Sequence, residues 1–398
     1  MRIGMMADTY KPYVSGVTNY IELNKRYLEN NGHAVYVFTF SEPDYEDDEE
    51  RIIRSSGLPL ADTGFFLSLK YSREAKNLLQ SMDVVHVHHP FLSGRLALHY
   101  CRPEGIPVIF TNHTRYDLLA QAYIPMLPEE ISESLLQAYM PSFCKAVDLV
   151  VSPSPGMEKV LRELEVENHI EVVPNGVELK RFFQAEPLSR ANYGFSEDDI
   201  LLIYTGRLAP EKNLDFLLLA FAGVFQAVEN VKLLLIGDGP MKKELEELAK
   251  NLQITKAVHF AGLIPYENVP GYLSMCNAFV TASVTEVHPF SVIEAMGTGL
   301  PVMGIHSPGV GDTVEDGITG FLSTKNLPAF TAKLTRLCLQ TQLRKKMGSA
   351  ARKASHKYDI ELTTRIMLGH YENLVSEPRN HKLDWDKRLL AILERFRI

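Results

Sequence analysis

Short apolar runs alternate with helical segments along almost the whole chain, and few folds accept that alternation. Residues 2–7, 34–40, 84–88, 108–112, 149–152 and 170–173 read as strands. Between the first two, Val17, Tyr20, Ile21, Leu23, Tyr27 and Leu28 recur at helical spacing, and Asn31-Gly32 ends that helix. A second series has strands at 200–205, 231–236, 257–260, 278–281 and 301–305, with helices near 212–227 and 240–252. Such a pattern implies parallel sheets covered by helices. A chain of 398 residues is also too long for one ordinary core, so two α/β domains are expected. Residues 184–199 are polar and unpatterned, as in a linker. Ligands of open α/β sheets bind beyond the carboxyl ends of the strands, which here means a cleft between two domains.

Composition excludes some classes of function. Hydrophobic residues make up 45% and charged residues 23%, as in globular proteins. A net charge of −8 argues against a binder held by nucleic-acid phosphates. The four cysteines, Cys101, Cys144, Cys276 and Cys338, have neither metal-ligand spacing nor a disulfide pattern, which fits a reducing cytoplasm. Met1 to Ala7 reads as a first strand rather than a signal peptide. No apolar run approaches the ~20 residues needed to span a bilayer. The acidic run Asp44 to Glu50 reads as a solvated loop with no metal role.

The stretch from Ser283 to Val302 concentrates the chemistry. Glu286 and Glu294 are separated by seven residues. Pro289 suits a first helical position, Phe290 to Met296 read as a short helix, and Gly297 and Gly299 close it. Glu286 then lies on the loop before the helix and Glu294 lies inside it. Free N–H groups at such a helix start attract a phosphate. Two hydroxyl-binding carboxylates beside a phosphate cradle suit a sugar nucleotide. An ordinary turn with two solvated glutamates gives the same spacing.

Other segments fall at strand ends. Gly206-Arg207 and Lys212 put two cations five positions apart, where they would neutralise a diphosphate. Ser15-Gly16 precedes the first helix and would let backbone approach a phosphate, but it is not the G-x-G-x-x-G fingerprint. His86, His88, His89 and His113 lie at two strand ends of one sheet edge. Zinc is one reading, but no carboxylate or thiol partner has metal-site spacing. His113 suits a hydrogen bond to a polar substrate, and His86 suits strand packing. The segment Pro308 to Phe321 reads as tight chain reversals.

Together these segments resemble the retaining glycosyltransferases of family 4, from the first strand to about residue 355. The motifs are Gly206-Arg207 with Lys212, Ile236-Gly-Asp238-Gly239-Pro240, and Glu286 to Glu294 followed by Ala-Met-Gly-Thr-Gly-Leu-Pro-Val. Asn175-Gly176-Val177 and the Gly317-to-Phe321 turn add support. The resemblance implies the GT-B fold, two Rossmann-like α/β domains facing across a cleft. Residues 1–183 would bind the acceptor, 184–355 the nucleotide sugar, and 356–398 would be helices packing back toward the first domain. It implies roles by position. Glu294 would bind ribose hydroxyls. Arg207 and Lys212 would hold the diphosphate. Glu286 would bind donor-sugar hydroxyls, Gly16 would approach the diphosphate, and His113 would lie near the reacting sugar. The family commonly has a glycine where Pro289 stands and an aromatic residue where His288 stands. Phe290 and Ser291 would then supply the donors to sugar and phosphate.

The implied reaction moves a hexose, glucose from UDP-glucose, with retention through an oxocarbenium-like transition state. The departing diphosphate would help to deprotonate the acceptor. A covalent route through Glu286 is the alternative by analogy with retaining glycosidases. No Asp-x-Asp motif is placed for catalysis, so no metal or other cofactor is expected. His113 to Asp117 with Ala122 to Pro125, after His88-His-Pro90, looks like members that glucosylate diacylglycerol. A lipid acceptor implies a cytoplasmic protein with peripheral contact on the inner face of the membrane. The Tyr- and Leu-rich 116–143 region would supply an apolar mouth or core. Trp385, Leu389, Leu393 and Phe396 stand at helical spacing among basic residues, which suits either an anionic membrane or packing against protein. A soluble acceptor or a growing glycan, a nucleotide-sugar epimerase or phosphorylase on the same plan, and a non-catalytic binding protein remain as competing readings.

Overall fold

The computed structural model describes residues 1–13, 15–41, 45–59, 66–68, 70–118 and 129–377. The six runs of the first series, with one further strand at Ile52–Ser56, form one seven-stranded sheet. Its strands are β1 (Arg2–Met6), β2 (Ala34–Ser41), β3 (Ile52–Ser56), β4 (Val84–Val87), β5 (Val108–Thr111), β6 (Leu149–Ser152) and β7 (Ile170–Val172). They lie in the order β3-β2-β1-β4-β5-β6-β7, all parallel. The second sheet holds β8 (Ile200–Thr205), β9 (Val231–Ile236), β10 (Val258–Gly262), β11 (Ala278–Val280), β12 (Val302–Ile305) and β13 (Gly320–Ser323). Their order is β10-β9-β8-β11-β12-β13, again parallel. In each sheet the order reverses beside its first strand, which opens a crevice at the carboxyl ends.

The helices that position the site are α1 (Gly16–Asn30), α2 (Leu92–Cys101), α3 (Glu129–Ala146), α4 (Pro155–Glu163), α5 (Leu214–Ala227), α6 (Phe290–Gly297), α7 (Pro308–Thr313) and α8 (Ile360–Ser376). Helices cover both faces of each sheet, so central strands are apolar on both sides. In the first domain Met6, Phe38, Val85 and Phe110 pack on one face, and Ile3, Met5, Val35 and Val84 on the other. Leu202, Leu233 and Phe221 fill one side of the second sheet, and Ile203, Phe279 and Ile293 the other.

Among the described residues the chain crosses between the domains twice. Val177 pairs with the Tyr358–Ile360 backbone, its N–H reaching the Tyr358 carbonyl at 2.9 Å and its own carbonyl accepting from Ile360 at 3.0 Å. Then α8 returns to the first domain. Met367 and Tyr371 enter the apolar cluster of Ile3 and Met5, and the Thr364 hydroxyl donates to Asn24 Oδ1 at 3.0 Å. Among the described residues, no helix is long and apolar enough to cross a membrane.

The structure changes several sequence expectations. Residues 184–199 are not a free linker. Arg190 ties them down through the carbonyls of Met275 (2.9 Å) and Asp199 (2.9 Å) and through Asn277 Oδ1 (3.0 Å). The expected division at residue 183 is not among these changes and coincides with the end of a short helix, Leu179–Phe183. In the described part of the acidic run, Asp47 chelates Arg54 at 2.7 and 2.6 Å and Glu49 pairs with Lys11, while Glu46, Asp48 and Glu50 are exposed, as in a solvated loop. Pro308 to Thr313 is a helix, not a chain reversal. The Trp385–Ile398 stretch and residues 122–125 lie outside the described residues.

Candidate active site

Two helix starts meet in the cleft. After β1, Ser15 caps α1, its hydroxyl accepting from Thr18 N–H at 3.2 Å, and Gly16 is the first helical residue. In the second domain Pro289 precedes α6 in extended backbone, φ −77° and ψ 117°. Pro289 is therefore the cap, not the first helical residue as its fixed φ suggested. Phe290 and Ser291 carry the first helical N–H groups. A Cβ added to Gly16 would stand 3.8 Å from the Phe290 ring. Phe290 itself packs against the cores of both domains. First-turn N–H groups lack intrahelical partners and carry the positive end of the dipole, so the gap between these starts favours an anion.

Cations stand around that gap. Arg207 follows β8, is exposed, and donates from Nη1 to the Tyr13 hydroxyl of the first domain at 3.1 Å. Beneath this loop the Gly237-Asp238-Gly239 segment packs backbone to backbone. Leu208 N–H donates to the Asp238 carbonyl at 2.9 Å, and a Cβ on Gly237 (φ +134°) would overlap the Gly206 carbonyl at 1.9 Å. This explains why the glycines of the 236–240 motif are needed to shape the Arg207 loop.

Lys212 ends a single 3₁₀ turn, Pro210–Lys212, and its Nζ donates to Glu286 Oε1 at 2.7 Å. Burial acts to raise the Glu286 carboxyl, but the Lys212 ammonium outweighs it and holds the group below its usual range. Burial likewise acts to lower Lys212, and the Glu286 charge overrides it, leaving the ammonium above its usual value. The Glu286 carbonyl accepts from Gly309 N–H at 3.0 Å, and a Cβ on Gly309 would meet that oxygen at 2.5 Å.

Glu294 is buried within α6 and accepts from the Tyr266 hydroxyl at 2.7 Å. Burial pushes its carboxyl up to about 7, against the opposing hydrogen bond from Tyr266 and the charge of Arg181. Its helix neighbours Phe290 and Ser291 are partly exposed.

His113 follows β5 in the first domain. Its Nε2 lies 3.1 Å from His88 Nδ1, and its ring centre is 4.6 Å from that of Tyr20 on α1. Burial, then the nearby imidazoles of His86 and His89, push His113 well below its ordinary pKa. His86 is buried in β4, as a strand-packing residue would be. No group of three or more metal-ligating side chains is assembled among the described residues.

His288, where the family commonly has an aromatic residue, is a buried link between the domains. Its Nδ1 accepts from Asn175 N–H at 3.2 Å, and its carbonyl accepts from Asn175 Nδ2 at 3.0 Å. Burial pushes it down to about 3, so it stays neutral and accepts there with a lone pair. The first domain's last strand is thereby hooked to the loop that leads into α6.

Contacts thus join Gly16 to Phe290, Lys212 to Glu286, and Arg207 to the first domain, while Ser291 and Glu294 share α6. His113 touches Tyr20 and His88 rather than the other candidates. Sequence reasoning missed Tyr13, Tyr266 and Gly309. Only Gly309 left a trace, as one glycine of a glycine-rich segment.

Two family models match, "Glycosyl transferases group 1" over residues 185–354 and "Glycosyltransferase Family 4" over 14–181. An alpha-monoglucosyldiacylglycerol synthase of Streptococcus pneumoniae is 31% identical over 339 residues, covering 81% of this chain and 75% of that protein. A protein of the same name from Acholeplasma laidlawii is 28% identical over 346 residues, covering 82% and 85%. In fold, Anabaena HepE in complex with UDP-glucose aligns with a TM-score of 0.71 at 18% identity, over 94% of this chain and 100% of that one. The two facing Rossmann-like domains and both family matches lead to one conclusion: the chain belongs to the family 4 glycosyltransferases of the GT-B fold.

Proposed function

We propose that this glycosyltransferase moves glucose from UDP-glucose, with retention, to a hydroxyl of a diacylglycerol-type lipid. One observation carries the donor site: the starts of α1 and α6 face each other across a single glycine, with Arg207 and the Lys212–Glu286 pair on the loops of the second sheet. That arrangement suits a diphosphate gripped from both domains. HepE, with this fold, is described in complex with UDP-glucose. The relatives' name supports the acceptor and the stereochemistry, since an α-glucoside formed from an α-linked donor is a retained product.

In this reading residues 184–355 hold the donor, with Glu294 on the ribose and Arg207, Lys212 and the Phe290 and Ser291 N–H groups on diphosphate and sugar. Glu286 binds donor hydroxyls while Lys212 holds it ionised. Gly16 admits the diphosphate beside α1, and His113 contacts the reacting sugar from the acceptor-binding first domain. Negative charge grows on the leaving diphosphate in the transition state, where fixed donors act most strongly. The same oxygen takes the acceptor proton on one face of the sugar, and no metal is needed. The protein works from the cytoplasm, touching the inner face of the membrane peripherally.

The test incubates purified protein with labelled UDP-glucose and either diacylglycerol micelles or soluble acceptors. The expected product is an α-glucosyl lipid, seen by mass and by anomeric NMR, formed equally well in EDTA. Lys212→Ala should lower turnover by roughly 100-fold, a larger loss than the disturbance to folding from leaving Glu286 unpaired. A β-linked product, transfer to soluble acceptors only, or isomerised sugar without acceptor would each reject the proposal.

A further inference from the structure

Beneath His113 lies a cluster that the donor site does not use. His88 is fully buried, and its Nδ1 meets His113 Nε2 at 3.1 Å. Its other ring nitrogen, Nε2, is buried and has no hydrogen-bond partner among the described residues. The His88 ring is held in place, with the ring centres of His86 at 4.2 Å and Tyr20 at 5.4 Å. His86 is itself fixed at both nitrogens, by the Tyr371 hydroxyl at 2.7 Å and the Thr111 hydroxyl at 2.6 Å.

Burial, reinforced by neighbouring imidazoles, keeps His88 and His113 neutral. A hydrogen bond between two neutral imidazoles uses one N–H and one lone pair. If His113 donated from Nε2, His88 would carry its own proton on Nε2, as an orphaned buried N–H. If His88 donates from Nδ1, the orphan is only a lone pair. Orphaned buried N–H groups are rare in native structures. The second arrangement wins, and it puts the His113 proton on Nδ1, the minor tautomer of free histidine.

We propose that His88 is a positioning residue that fixes His113 as its Nδ1–H tautomer, so that His113 offers the donor sugar an N–H and not a lone pair. The inference rests on the placing of His113 beside the donor sugar. It makes His113 a hydrogen-bond donor to a sugar oxygen and removes it as a base for the acceptor hydroxyl.

The tautomer can be read without substrate, by long-range ¹H–¹⁵N NMR on histidine-labelled protein at neutral pH, with peaks assigned by single His→Asn variants. Both His88 and His113 should carry the proton on Nδ1. A His113 protonated on Nε2 overturns the proposal, whatever the enzyme transfers. His88→Asn keeps an amide donor near the Nδ1 position, and His88→Phe removes it. The Phe variant should release His113 to the Nε2–H form and lower kcat ten- to a hundred-fold, by order of magnitude. KM for UDP-glucose should stay within about twofold, and the Asn variant should restore tautomer and turnover together. Unchanged tautomer and kcat in the Phe variant would sink the idea. If that variant does not fold, the wild-type spectrum decides. Failure to transfer glucose would refute the donor assignment without moving the tautomer, so the two failures are separable.

Discussion

Arg207 and Tyr13 meet across the cleft, guanidinium Nη1 to phenol oxygen at 3.1 Å, although one follows a strand of the second domain and the other the first strand of the chain. The exposed cation is thus held over the gap between α1 and α6 before any ligand arrives. Arg207→Lys keeps the charge and loses the planar fork. Turnover should fall about 100-fold, while unfolding free energy stays within about 0.5 kcal/mol, as for a surface change. Steady-state kinetics beside thermal denaturation checks both, and an unchanged kcat/KM would remove Arg207 from the diphosphate site.

Glu294 supplies a pH signature. Its folded value is about 7 against an ordinary 4.5. The folded protein holds this proton more tightly than the unfolded chain, so its contribution to stability is complete below about pH 4.5 and is lost as pH rises through 7. Glu294→Gln should therefore gain melting temperature relative to the parent between pH 5 and pH 8. Ribose hydroxyls donate best to the ionised carboxylate, so UDP affinity of the parent should strengthen over the same interval. Calorimetry on the Gln variant should show weaker, pH-independent binding; a parallel rise in both proteins would contradict the ribose assignment.

Gly16 separates packing from chemistry. A Cβ there meets only the Phe290 ring, at the ordinary contact distance of 3.8 Å. Gly16→Ala should stabilise the fold by about 0.5 kcal/mol through the unfolded state. It should nevertheless lower kcat/KM about tenfold, because the methyl group enters the space between the helix starts. Denaturant titration and kinetics on one preparation read both effects, and full activity would place the diphosphate elsewhere.

Gly309→Ala should act on Glu286 without touching it through a side chain. The added Cβ would press on the Glu286 carbonyl at 2.5 Å and on Val287 backbone at 2.6 Å, neither of which can rotate away. The loop must shift, at about 1–3 kcal/mol, and the Lys212–Glu286 pair shifts with it. Reduced stability together with reduced turnover is expected. Stability lost with turnover intact would show that Glu286 need not be held in place.

Strands buried on both faces were legible as runs. Ile200–Thr205 and Val231–Ile236 have the bounds their apolar residues suggested. Ile52–Ser56 and Gly320–Ser323 were not legible, because they stand at sheet edges and mix Arg, Ser and Gly into short segments. Arg207, Lys212 and Glu294 stood out because each falls in a motif at a strand end or helix start. Tyr13 and Tyr266 did not, since their partners lie far along the chain and a tyrosine in a loop carries no periodic signal. His288 was read as a departure from the family pattern; its bonds to Asn175 depend on how the two domains dock, which one-dimensional spacing cannot express.

The return of α8 makes the two lobes unequal as building blocks. Met367 and Tyr371 complete an apolar layer begun by Ile3 and Met5 at the other end of the chain. A fragment stopping at residue 183 would leave that layer open to water and would be prone to self-association. A chimera that exchanges lobes between relatives must carry α8 with the first lobe, as though the polypeptide were a ring cut on its surface.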